Sequence, residues 1–253
     1  MPELSNWMMV FVRAGALLSV FPLFSAQPAP VQIRLALGAL LAFLVAPSLP
    51  PTDVGSLHFL GLVGLFAVEA GIGLLLGIIT RLIFYALEFA GSLVAMEMGL
   101  NLASTFNPLS RDRSEAAALV LFYLGAMLLL TLDLHHWILV GFQKSYGVAP
   151  VGGAHLGPAL FAEIIGRTSE IFRAGLLMAA PVIAVSFLIT LIFSVLSRAV
   201  PQMNVFYESF AFRTLGGLAV FGLTLNLMAQ HVANYLRRLP DDLMRVAQLL
   251  GAG

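Results

Sequence analysis

Residues 57–103 read LHFLGLVGLFAVEAGIGLLLGIITRLIFYALEFAGSLVAMEMGLNLA, and only Glu69, Arg81, Glu88 and Glu97 carry charge in this stretch. A helix that crosses a bilayer needs about 20 mainly apolar residues. Inside hydrocarbon only a helix or a closed barrel satisfies its own backbone N–H and C=O groups. The stretch holds two such lengths, 57–82 and 83–103, nearly continuous across Arg81. Working outward, comparable runs occupy 7–24, 33–46, 116–134, 174–196 and 215–236. The first two end in proline, at 22–30 and at Pro47, Pro50 and Pro51, because proline lacks an N–H and clashes with the preceding turn. The 33–46 run is short for a span and reads as tilted, re-entrant or sheltered by protein. His135-His136-Trp137 closes the fifth run like an interfacial belt. Residues 144–173 are less apolar and read as a loop with short amphipathic pieces. Pro181 is expected to bend the sixth run, and 241–250 reads as an amphipathic surface helix. The expected fold is all-α: one polytopic membrane domain over 1–253, with six to seven long helices and proline- or glycine-interrupted segments.

Composition agrees with that reading. Apolar residues make up 60% and charged residues 10% of the 253 positions, with a mean hydropathy of +0.96. Soluble domains run at about 45–50% apolar and about 25% charged. The net charge of +0 offers no basic stripe for nucleic acid. Cysteine is absent, which removes disulfides, thiolate catalysis and cysteine metal sites. His135 and His136 are adjacent and cannot share one helical face, so no metal site is expected and an interfacial position is the better reading. Ser110 and Ser186 have no nucleophile motif around them, so neither catalytic residues nor a cofactor are expected. The N-terminus lacks the basic stretch of a secretory signal and reads as retained. Arg237, Arg238 and Arg245 favour a cytoplasmic C-terminus.

Ionisable residues inside apolar helices cost on the order of 3 kcal/mol at mid-span, so each is by default a functional hypothesis. Glu69, Glu88 and Glu97 admit a proton-coupled secondary transporter, but structural pairing between helices is the simpler role. Glu88 and Glu97 fall on opposite faces of a straight helix, which argues against a paired-carboxylate device. Small residues are dense around them. Gly73 and Gly77 form a GxxxG spacing, and Gly91, Ala95 and Gly99 repeat every four residues, a pattern that lets helix backbones approach closely.

The densest polar and proline interruption is Pro201-Gln202-Met203-Asn204-Val205-Phe206, following Ser197-Arg198. This string resembles a signature of the FliR/SctT export-gate family of flagellar and virulence type III secretion systems. Further matches follow in the family's order along nearly the whole chain. They are Arg13 with Phe21-Pro22, Pro28 and Arg34, then Glu69 with Gly73 and Gly77, then Ala90-Gly91 leading to Met96-Glu97-Met98-Gly99-Leu100. His136-Trp137, Ser145 to Pro150-Val151-Gly152, and Ala180-Pro181-Val182 complete the series. Glu97 stands where the family usually has glutamine, and Asn107-Pro108 where it has aspartate-proline.

The resemblance implies a structural subunit of a protein-export gate, with no enzyme activity and no cofactor. Its expected partners are FliP-like and FliQ-like subunits, FlhB-like and FlhA-like export components, exported unfolded proteins and membrane lipid, but no nucleic acid. The expected place is the bacterial inner membrane, within the flagellar or injectisome basal body. Residues 1–136 would correspond to a FliP-like half and 137–253 to a FliQ-like half. The loop after the fourth run, Asn107, Pro108, Leu109, Ser110, Arg111, Asp112, Arg113, Ser114 and Glu115, would contribute to a plug across the closed channel. Glu69, Gly73, Gly77, Gly91, Gly99, Pro181, Pro201, Gln202, Asn204 and Phe206 would serve helix packing or partner contact.

Overall fold

A computed structural model of the chain describes residues 2–25, 30–51, 58–100, 116–154, 157–202 and 204–251. Among them there are eight α-helices and no strand: α1 (Pro2–Val20), α2 (Pro22–Ser25), α3 (Val31–Val45), α4 (Phe59–Glu97), α5 (Ala116–Thr131), α6 (Leu134–Val148), α7 (Pro158–Ala199) and α8 (Val205–Gly251). The all-α expectation holds. Four helical segments are long and apolar enough to cross a membrane, and the α5–α6 pair, bent by 71°, is a fifth if it counts as one span.

Helix boundaries depart from the sequence reading in several places. The spans expected at 57–82 and 83–103 form one helix of 39 residues, because no proline interrupts the stretch and Arg81 is itself a good helix former. At 1.5 Å per residue α4 is about 58 Å long, nearly twice the hydrocarbon thickness of about 30 Å. The loop expected over 144–173 narrows to the connection after Val148; the rest of that stretch is the end of α6 and the first half of α7. That half carries its own ion pair, Arg167 Nε to Glu163 Oε1 at 2.9 Å, one turn apart on the helix. The tail expected as a separate surface helix continues α8 through Pro240.

The chain divides into two compact units whose limits fall inside helices. The first comprises 1–82, 129–167 and 235–253, the second 83–128 and 168–234. In the first unit α1 buries Met9, Val10, Ala14, Leu17 and Leu18 along one face. The α8 tail buries Leu236, Leu239, Leu243, Val246, Ala247 and Leu250, an i, i+3, i+4, i+7 stripe. Its neighbour is α6: a Cβ at Gly141 would lie 3.4 Å from Leu243 Cδ1. The apolar face of the expected surface helix is therefore covered by protein. Arg167 Nη1 to Asp242 Oδ1 at 2.8 Å and Arg245 Nε to Glu163 Oε2 at 3.1 Å tie α7 to the same tail.

In the second unit the later half of α4 packs against α5. Gly91 lets the two backbones meet, since a Cβ there would fall 2.2 Å from Ala118 Cα, and Phe84 and Phe122 pack with ring centroids 5.2 Å apart. The α7–α8 hairpin closes near its turn through Phe193 and Phe212, centroids 5.1 Å apart.

Candidate functional site

Two constructions stand out, one in each unit. The first begins with Arg13, an arginine in an apolar stretch of α1 that is fully buried. A buried guanidinium must place five N–H donors, and here each finds an acceptor. Nε and Nη2 reach Glu69 Oε2 and Oε1 at 2.7 and 3.0 Å, the two-pronged geometry that suits arginine and carboxylate. Nη1 donates to Ser145 Oγ at 3.1 Å, and both Nη1 and Nη2 lie 3.2 Å from the carbonyl of Ala149, just past the end of α6. The guanidinium carbon sits 3.8 Å over the Tyr146 ring, within cation–π range.

Glu69, also fully buried, accepts one more bond from the Gly152 N–H at 3.0 Å. Gly152 has φ +74°, a left-handed conformation that favours glycine, and a Cβ there would only displace the end of the Leu65 side chain. The clamp thus ties α1, α4, α6 and the turn after α6 through one ion pair.

Gly73 and Gly77 bring α1 close enough for this pairing. A Cβ on Gly73 would fall 2.2 Å from the Arg13 carbonyl oxygen, and one on Gly77 would fall 2.9 Å from the Leu17 carbonyl. The contact advances by one turn on both helices, Arg13 to Leu17 and Gly73 to Gly77, with Glu69 one turn earlier.

The second construction closes the C-terminus of α4. The last carbonyls of a helix have no partner within it, and each unsatisfied one is costly in an apolar setting. Gly99, at φ +74°, makes a Schellman cap: its N–H donates to Met96 O at 3.0 Å and the Leu100 N–H to Ala95 O at 2.9 Å. The next two carbonyls are taken by other helices. Ser186 of α7 donates to Glu97 O at 3.4 Å, and Thr214 of α8 to Met98 O at 2.7 Å. Thr214→Val keeps the volume and removes this donor, so it should cost about 1–3 kcal/mol. Amide exchange at Met98 and Gly99, followed by mass spectrometry, should quicken while α5 is unchanged; unaltered protection would show that the bond contributes nothing there.

The remaining sequence-singled residues are placed as follows. Gly91 faces α5 as described. Pro181 lies inside α7, which continues through it. Pro201 and Gln202 form an exposed turn, and exposed Asn204 precedes α8, its Oδ1 accepting from the Tyr207 N–H at 3.5 Å as an N-cap does. Phe206 lies in the first turn of α8. Asn107 to Glu115 lie outside the described residues. Arg81 and Glu88 are half-buried and engaged, and Glu97 is half-buried beside the α4 cap. Sequence reasoning gave no role to Tyr146, Ala149 or Thr214. The signal for the clamp was a lone Arg13 and a lone Glu69 of opposite charge in separate apolar runs, since such groups pair.

A family model for bacterial export proteins, family 1, matches residues 4–239. Similar proteins include the flagellar biosynthetic protein FliR of Caulobacter vibrioides, 31% identical over 92% of this chain and 93% of its own. That of Pectobacterium carotovorum is 30% identical over 96% and 95%, and that of Escherichia coli is 28% identical over 94% and 92%. With the match running from α1 into the tail of α8, the chain belongs to family 1 of the bacterial export proteins.

Proposed function

We propose that this chain is a membrane-embedded scaffold subunit of a flagellar-type protein-export gate, without catalytic chemistry of its own. The observation that carries this reading is the family match along nearly the entire chain, with relatives named as flagellar biosynthetic proteins. In this reading the chain joins FliP-like and FliQ-like subunits, with FlhB-like and FlhA-like components nearby. Together they form the channel by which unfolded substrates leave the cytoplasm, in the inner membrane within the basal body. Residues 1–136 take the part of a FliP-like half and 137–253 that of a FliQ-like half.

Exposed large apolar side chains on α7 include Phe172, Leu176, Leu177, Phe187, Leu188 and Leu191, a surface that lipid or neighbouring subunits would cover. The test is native mass spectrometry after co-expression with the FliP-like and FliQ-like proteins of the same genome. One copy of this chain with several of the others is expected; a lone monomer or homodimer beside folded partners would sink the reading.

The segment 107–115 is assigned the plug. In sequence it lies beyond the capped end of α4, whose last carbonyls Ser186 and Thr214 hold. Deleting 111–115 should raise small-ion conductance of the assembled gate in planar bilayers, and unchanged conductance would remove the assignment. A proton-coupled transporter using Glu69, Glu88 or Glu97 is the weaker reading, because Glu69 is sealed from water and held by Arg13. Uptake by proteoliposomes that is lost on neutralising those glutamates would restore it.

A further inference from the structure

Helix α5 ends at Thr131 and α6 begins at Leu134, with the 71° turn between them. Neither proline nor glycine makes this corner. Asp133 does, at φ 55°, the one positive φ of a non-glycine residue among the described residues; aspartate enters that region more readily than most side chains. The conformation brings its carboxylate back to the first turn of α6, with Oδ1 3.7 Å from His136 Nδ1. The His135 and His136 rings lie with centroids 4.0 Å apart. One ligand atom from each of the three side chains lies within 4.8 Å of the others. His135 Nδ1 is buried without a hydrogen-bond partner among the described residues, an expensive state for a polar atom. An Asp133–His136 ion pair explains the approach of those two groups but leaves that nitrogen orphaned.

We propose that Asp133, His135 and His136 bind one divalent first-row transition cation, Zn²⁺ the best suited, at the α5–α6 corner. Two neutral imidazoles and a carboxylate form a donor set that fits Zn²⁺, Ni²⁺ or Cu²⁺ better than Mg²⁺ or Ca²⁺. Ligand atoms around a tetrahedral Zn²⁺ stand about 3.3 Å apart, given bonds of about 2.0–2.2 Å. The cluster must therefore contract slightly. The His136 and Asp133 side chains, 65% and 75% exposed, are free to do so. Three ligands leave a coordination position for water. The cation's work is mechanical: it ties the left-handed Asp133 to the first turn of α6 and stiffens the corner.

The test is calorimetric titration of the full chain, purified in detergent without a histidine tag and freed of metal by chelator, with zinc sulfate. The expected result is one site per chain in the micromolar range and a rise in thermal midpoint on adding Zn²⁺. His136→Ala and Asp133→Asn should each weaken binding by more than about tenfold, since loss of even an outer hydrogen-bond partner costs that much. Asparagine tolerates the left-handed conformation, and both side chains are exposed, so elution profiles should match the parent. Absence of binding below millimolar Zn²⁺, or affinity unchanged in His136→Ala, would overturn the site and leave an ion pair at a helix corner.

Discussion

Glu69→Leu alone should lower the thermal midpoint of the detergent-purified chain by roughly 10 °C, while Arg13→Met with Glu69→Leu should recover most of the loss. Removing one member of a buried ion pair costs about 3–5 kcal/mol, because it strands the other charge. For a chain of this size each kcal/mol moves the midpoint by roughly 2–4 °C. In the single variant the Arg13 guanidinium keeps Ser145 Oγ and the Ala149 carbonyl, but no anion balances it and no water reaches it.

The double variant removes both charges, and apolar replacements of buried pairs are often neutral or better. Recovery should still be incomplete. Gly152 N–H donates to Glu69 Oε1, and the Ala149 carbonyl accepts from Arg13; each loses its partner, at about 1–3 kcal/mol for a buried neutral group. Midpoints in order of parent, double and single would show that charge balance governs the clamp. Equal losses in single and double would mean that the hydrogen bonds to the turn after α6 carry the stability instead.

The positions of the apolar helices were legible because hydrocarbon leaves the backbone so few options, and α3 and α5 fall close to their expected limits. Joins and breaks were not. Expecting one span per 20 residues cut α4 at Leu82 and Ile83, where nothing in the residues stops a helix. The true break at Leu132 and Asp133 carries no proline or glycine, so His135-His136-Trp137 read as the end of one helix when it begins the next. The first half of α7 looked like a loop because its charges dilute the hydropathy. What holds it helical includes Glu163 to Arg245 and Arg167 to Asp242, pairings across the fold that spacing cannot reveal. Arg13 and Glu69 lie 56 positions apart, so each was visible as an anomaly while the bond between them was not. The glycines were half legible: spacing marked Gly73, Gly77 and Gly91 for close contact, but it gave Gly99 the same role where the structure uses it as a helix cap.

Gly73→Ala should destabilise the chain strongly while Gly71→Ala, two residues away on the same helix, should stabilise it slightly. Alanine is favoured over glycine inside a helix by about 0.5–1 kcal/mol, and that is all Gly71→Ala should show, because a Cβ there meets nothing within 4 Å. At Gly73 the same methyl would sit 2.2 Å from the Arg13 carbonyl oxygen and 2.9 Å from Ala16 Cβ. Backbone cannot rotate aside as a side chain can, so α1 must retreat. Overpacking of a core costs about 1–3 kcal/mol, and a clash with backbone belongs at the upper end of that range, above the propensity gain, so the net sign is unfavourable. Retreat also carries Arg13 away from Glu69, which makes the two effects share one cause. Gly73→Ala combined with Glu69→Leu should therefore cost less than the sum of the single losses, by more than the roughly 0.5 kcal/mol scatter seen for independent sites. Thermal midpoints of the four chains in one detergent decide it. Strict additivity would separate the glycine contact from the ion pair, and a Gly73→Ala chain as stable as Gly71→Ala would mean that α1 does not lie backbone to backbone on α4.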